Sequence, residues 1–244
     1  MHQTVAAERG VAWITEGWRL FLRRPGLLVG MTLITLLMFA ALSLVPLLGG
    51  LAALIMIVVL AAGMYNTIDR MHHGQEVAFD TLFSGFRERL QPLLMMGLIL
   101  LGAEIVIVIA IGMVVSGTVI GSVMMSGIMS HDEMSPAMML SVIQGGFVAL
   151  ILVLLLSLPL FMAYTFAIPL ACLSGREPVA ALKASFYAVA ANWVPFLVFG
   201  LIYIVLALLA TIPLMLGWLV LLPLTFASGY VAYREVFAES AAAP

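Results

Sequence analysis

The chain has 244 residues, of which 64% are hydrophobic and 9% charged, with a formal net charge of −2. Soluble domains carry about 25% charged residues, so a soluble fold is excluded, and the near-neutral balance says nothing about a charged partner. Cys172 is the only cysteine, which excludes a disulfide framework or a thiolate metal cluster.

The charges fall in short islands between long blocks without Asp, Glu, Lys or Arg: Gly26 to Ile68, Met134 to Gly175 and Ala184 to Tyr233. In chain order, Val11, Ile14, Trp18, Phe21 and Leu22 recur at helical spacing, which predicts an amphipathic helix in the membrane interface. About 25 such residues precede a full-length apolar stretch, so a retained N-terminus rather than a cleaved signal peptide is expected. A bilayer span takes about 20 apolar residues, and the first block predicts spans at about 26–45 and 48–67. Phe79, Leu82, Phe83, Phe86 and Leu90, backed by Asp80, Arg87, Glu88 and Arg89, predict a second interfacial helix before a span at about 92–115. An insertion at about 116–145 follows, then a span at about 146–172. Val179, Leu182, Phe186 and Val189, opened by Pro178, predict a third interfacial helix before spans at about 194–211 and 214–233.

Six spans put both termini on one side. All ten basic residues, Arg9, Arg19, Arg23, Arg24, Arg70, Arg87, Arg89, Arg176, Lys183 and Arg234, then share that side, which the positive-inside rule makes cytoplasmic. With the basic residues committed to topology, a nucleic-acid partner is not expected. The insertion, with His131, Asp132 and Glu133, falls outside.

Several marks recur. Pro25, Pro92 and Pro195 stand at the mouths of spans, and Val45-Pro46-Leu47, Leu158-Pro159-Leu160 and Ile212-Pro213-Leu214 mark where returning helices should begin. A second Pro-Leu follows at Pro169 and Pro223, and Gly74-Gln75-Glu76 resembles Gly175-Arg176-Glu177. The expected fold is an all-α polytopic membrane protein, one domain over 1–244. Its six transmembrane helices form three repeated hairpins, each preceded by a cytoplasmic amphipathic helix, in units at about 8–67, 78–172 and 178–233.

Glu104 is the ionisable residue well inside a span, costing at least about 2.5 kcal/mol at the bilayer centre. It suits a transport or substrate role, a partner contact, or a structural hydrogen bond to Ser157, Thr165 or a backbone carbonyl. Asp69/His73 and His72/Glu76 have the four-residue spacing of helical metal ligands, but Gly74 is expected to end the helix first, leaving a turn with solvated charges. Gly26/Gly30, Gly117/Gly121 and Gly112/Ser116 read as close-packing positions, and Trp193, Tyr65, Tyr230 and Tyr233 as interfacial anchors.

Residues 124–139 hold six of the seventeen methionines. Met125, Met129, Met134 and Met138 around His131 suit either an adaptable contact surface or Cu(I), with no metal site assigned firmly. No phosphate-binding glycine loop, nucleophile elbow or zinc-protease motif is present, and no catalytic residue or enzymatic activity is expected.

The stretches GVAWITEGWRLFLRRPGLLVG and GQEVAFDTLFSGF resemble a family of uncharacterised bacterial inner-membrane proteins of the Burkholderia and Pseudomonas type. The chain is more distantly similar to YciC-type proteins and to the membrane domain of glycerophosphodiester phosphodiesterases. The resemblance implies a six-helix plasma-membrane protein without an attached catalytic domain. The leading expectation is an accessory or scaffold protein that associates with lipid or membrane-protein partners. The alternative is a small transporter or lipid-handling protein using Glu104 in a central cavity, and a third is copper handling by the Met-rich segment.

Overall fold

The computed structural model describes residues 2–129 and 136–237, without the side chains of 118–119, 122–129 and 136–138. The described residues form helices and connections, with no strand among them. The helices are α1 (Arg9–Phe21), α2 (Pro25–Ser43), α3 (Leu48–His72), α4 (Ser84–Glu88), α5 (Leu90–Met129), α6 (Pro136–Thr165), α7 (Ala167–Cys172), α8 (Pro178–Ala191), α9 (Trp193–Thr211) and α10 (Trp218–Val236), with a 3₁₀ turn at Phe79–Phe83 before α4. Among the described residues five helical stretches are long and apolar enough to cross a membrane: Pro25–Ser43, Leu48–His72, Leu90–Gly117, Met139–Cys172 and Trp193–Thr211. The chain divides into two compact units, residues 1–100 with 162–244, and residues 101–161.

In the larger unit the short helices dock on longer ones through small residues. α1 buries Gly10, Trp13, Gly17, Leu20 and Phe21 against α9 and α10. A methyl group at Gly10 would run into the Pro195 carbonyl, and one at Gly17 into Ser228, so glycine lets the backbones close. Val11, Trp18 and Leu22, expected on the apolar face of an interfacial helix, point outward and are exposed. That helix is therefore apolar on two sides, and its protein-facing side is the one built from Gly and Trp. The expected second interfacial helix is instead a 3₁₀ turn and a five-residue α-helix seated on α3. Gly63 there faces the Leu82 carbonyl, and a methyl at Gly85 would lie 2.5 Å from the Val59 carbonyl oxygen. α8 packs on α7. Each short helix thus rests on the helix that ends the preceding stretch, α1 taking α10.

The turns explain where helices stop. Gly74 and Gly175 adopt φ of +71° and +67°, the left-handed C-terminal cap that glycine takes without steric cost. Helix α3 accordingly ends before Glu76, as the glycine predicts. At the other hairpin ends Leu47 and Leu214, each following a proline, have φ of 62° and 52°. Pro159 behaves differently: it lies inside α6 rather than at its start, and the returning helix begins at Pro136. Apolar helices tolerate an internal proline when freed backbone groups find other partners.

The break comes later, at Phe166 between α6 and α7. Ser185 of α8 sits there with its hydroxyl accepting from the Phe166 N–H at 2.9 Å and donating to the Met162 carbonyl at 2.8 Å. A side chain has entered the i to i−4 ladder, a recognised cause of kinks, while Pro169 removes the donor one turn on.

In the 101–161 unit and its borders, residues 116–129 continue α5 and residues 136–145 open α6, so these parts of the expected insertion are helical. Ile107, Gly145 and Ala149 are buried, while Val108, Met113, Phe147 and Leu155 are exposed.

Candidate functional site

Glu104 sits half-buried on α5, with exposed Ile105 and Val106 beside it. It has no hydrogen-bond or ion-pair partner among the described residues. Met125 and Met129 lie one turn apart near the end of α5, and Met138 lies in the first turn of α6. Their side chains, together with His131 and Met134, lie outside the described residues.

The polar side chains that the fold does bring together cluster where α3 and α10 end. The Tyr230 hydroxyl donates to Asp69 Oδ1 at 2.7 Å. His73 Nδ1 lies 2.9 Å from the Asp69 carbonyl and 3.6 Å from its carboxylate. Arg234 Nη1 is 3.5 Å from both the Tyr230 hydroxyl and His73 Nε2. Arg23 donates to the Met71 carbonyl at 3.2 Å, which also accepts from the Gly74 N–H, a cation at a helix C-terminus. The rings of His72 and His73 meet edge-on, 5.3 Å apart. With the Asp69 carboxylate engaged by Tyr230, the group is a hydrogen-bond network, and no set of three His, Cys, Asp or Glu side chains among the described residues is arranged for a metal. Tyr65, Tyr230 and Tyr233, expected as interfacial anchors, are buried in the protein; Trp193 is exposed.

A second network closes on Glu235. Its carboxylate accepts from Arg9 Nε at 2.6 Å and from the Trp13 indole at 2.7 Å, and Arg9 also reaches Glu16 at 3.0 Å. These carboxylates push the Arg9 pKa above its ordinary value, chiefly through the Glu235 hydrogen bond, so the guanidinium keeps its charge. Buried Asn192 accepts from the Val5 N–H at 2.8 Å and donates to the Gln3 carbonyl at 3.0 Å, while the Gln3 N–H reaches the Val236 carbonyl at 3.0 Å. Sequence reasoning missed Trp13, Asn192 and Glu235 as a unit, because they are separated by nearly the whole chain. A third network joins α3 to α4: Asn66 donates to Ser84 at 2.8 Å, and Arg70 pairs with Glu88 at 2.8 Å.

Cavities open among the described residues of the larger unit. One of about 640 Å³ is walled by α1, α9 and α10 and is almost wholly apolar, with Trp18 and Arg19 among its residues. One of about 270 Å³ lies among α2, α3 and α10. The third, about 380 Å³, is polar and contains Arg89, Arg176, Glu88 and Glu177. None of the three includes Glu104. Compared with protein-family models, curated proteins and solved structures, the chain matches none of them.

Proposed function

We propose that this protein spans the bacterial inner membrane six times, with both termini cytoplasmic, and works without enzymatic activity as an accessory or scaffold protein. Its partners in this reading are lipid and other membrane proteins. The observation that carries this reading is the uncovered apolar surface of α5 and α6. Within the most apolar 18 residues of each of those stretches only 6% are buried, against 50% in α3. Apolar patches larger than a few hundred Å² mark membrane or protein contacts.

Helix α10 supplies the sixth span in this reading. It is less apolar than the other five because it is enclosed by protein: Ala227, Ser228, Tyr230 and Tyr233 are all buried. A span shielded from lipid has no need of a uniformly apolar surface. The threefold repeat is supported by the docking of α1, α4 and α8 in turn on α10, α3 and α7, and by the paired geometries at Gly74 and Gly175 and at Leu47 and Leu214.

Purification in mild detergent after crosslinking in native membranes tests the function. Recovery of the same membrane-protein partner repeatedly is the expected result; repeated recovery of the chain alone overturns it. Reporter fusions at both ends test the topology, and opposite locations would reduce the spans to five.

Unpartnered Glu104 favours one second reading, a small transporter or lipid-handling protein in which Glu104 carries a proton or contacts substrate. Under it, proton-coupled flux in proteoliposomes disappears in Glu104→Gln. Flux unchanged by that substitution removes this reading.

A further inference from the structure

We propose that the apolar groove walled by α1, α9 and α10 holds one acyl chain of an anionic phospholipid, whose phosphate is taken by Arg19 and the Trp18 indole. This deepens the lipid-contact part of the reading above and rests on it.

Helix α1 carries two pairings of an arginine with a tryptophan, and the fold completes one of them. Arg9 and Trp13 share the Glu235 carboxylate. Trp18 and Arg19 both line the groove of about 640 Å³ and are exposed. Among the described residues neither the Trp18 indole N–H nor the Arg19 guanidinium has an acceptor. Of the described residues that line the groove, Arg19 alone is charged. Glu16, three residues before it, is engaged by Arg9 at 3.0 Å. An anion that completes this second pairing therefore comes from outside the chain.

That anion has to carry a long apolar group. Thr15 turns its hydroxyl to the Ala12 carbonyl at 3.0 Å, and the remaining walls are apolar, with Leu206 and Leu209 from α9 and Val220 and Leu224 from α10. The far end is shut where Gly217 sits against Ala210 so closely that a methyl group would collide. The other end lies where α1 crosses α10, with Gly17 resting on Ser228. From Gly217 to Ser228 helix α10 rises about 16 Å, and the hydrocarbon of one leaflet is about 15 Å deep. The groove thus has the length of a single acyl chain, with its charged residue at the end nearer the cytoplasmic terminus of α10. The Trp18 ring is stacked on Phe21, centroids 5.2 Å apart, which holds it at the mouth, where tryptophan suits a membrane interface. The apolar stem of Arg19 can follow the wall while its head stays at headgroup level. There a guanidinium matches phosphate oxygens with paired N–H donors. An incoming helix is about 10–12 Å across and would have to bring an acid to the same point, whereas a phospholipid brings chain and anion in one molecule.

The test is native mass spectrometry of the full chain released from detergent after titration with phosphatidylglycerol or phosphatidylcholine. One lipid per chain is expected to be retained, with phosphatidylglycerol strongly preferred. Arg19→Gln should weaken the apparent affinity for phosphatidylglycerol about fivefold, the scale of one arginine near anionic lipid, and leave that for phosphatidylcholine unchanged. Trp18→Phe, which keeps a ring and removes the N–H, should weaken phosphatidylglycerol about twofold. Lys183→Gln, outside the groove, should change neither. Val220→Phe narrows the groove and should abolish retention of both lipids. If its lipid-free melting temperature falls below wild type, Leu209→Phe, at a side chain 56% exposed, takes its place. Equal retention of the two lipids, or retention indifferent to Arg19→Gln or to the groove-filling variant, overturns the proposal. A dimer that Val220→Phe dissociates also overturns it, since a second copy then fills the groove. Recovery of a protein partner without selective lipid retention overturns the groove assignment and leaves the scaffold reading. Selective retention in a chain that crosslinks to no partner does the reverse.

Discussion

The 101–161 unit and the larger unit use the same residue types to opposite effect. In the larger unit Gly10, Gly17, Gly63 and Gly85 face neighbouring backbone or side chains so closely that a methyl group would collide. In the 101–161 unit Gly102, Gly112, Gly117, Gly121 and Gly146 have no neighbour among the described residues within 4 Å of where a methyl would stand, as also holds for Gly26, Gly50 and Gly200 of the larger unit. The serine, asparagine and glutamate side chains of the larger unit, at positions 185, 192 and 235, have hydrogen-bond partners, whereas Glu104 has none among the described residues. Glycine spacing in an apolar helix therefore marks an available approach surface and does not say what occupies it.

The largest expected effect separates the two units directly. Gly17→Leu forces a side chain into Ser228 and should lower stability by about 3 kcal/mol, at the upper end of overpacking costs, in thermal unfolding of the detergent-solubilised chain. Gly117→Leu should leave the same measurement unchanged, but reduce partner crosslinking in membranes if its face is an approach surface. Equal destabilisation by the two breaks the comparison.

Next is Glu235→Ala, which deprives Arg9 and the Trp13 indole of their acceptor. It should cost about 2 kcal/mol, the scale of hydrogen bonds to a charged group, and free the N-terminal segment to proteolysis. Ser185→Ala removes the hydroxyl from the Phe166 kink and should cost about 1 kcal/mol, the range for polar contacts between membrane helices; faster hydrogen exchange at the Phe166 amide is the local readout. Glu104→Gln is expected to change unfolding by less than about 0.5 kcal/mol, because no partner is lost. A large loss there would give the 101–161 unit a structural polar contact and blur the contrast.

The helical class and four of the five apolar stretches were legible because charge-free blocks of 42 to 50 residues leave few other folds, and the stretch from Leu90 was legible despite Glu104 from its apolar length. Gly74 and Gly175 were legible as turns because left-handed backbone selects glycine. The docking face of α1 was legible only at Phe21: of Val11, Ile14, Trp18, Phe21 and Leu22, Val11, Trp18 and Leu22 are exposed, while the rest of the buried side is Gly10, Trp13, Gly17 and Leu20. In an apolar solvent a large side chain gains little by turning inward, so hydrophobicity loses its power to orient a helix. Pro159 misled for a related reason: tertiary partners let a proline remain inside an apolar helix. Ser185 and Asn192 carried no local signal, because each serves backbone groups supplied by distant residues. The polar cavity divided along the same line. Its arginines were visible as topology markers, but their meeting depended on the Gly175 turn reaching Arg89.

The leucines that follow Pro46 and Pro213 have a consequence of their own. A positive φ costs a non-glycine residue about 1–3 kcal/mol, and glycine would lower that cost. Leu47 and Leu214 are also among the most exposed apolar side chains of the chain, at 79% and 89%. These two tips therefore give up fold stability to hold out an oily peg, and Leu47→Gly should melt higher in detergent. The strain resembles a barb: it weakens the shaft slightly and resists withdrawal.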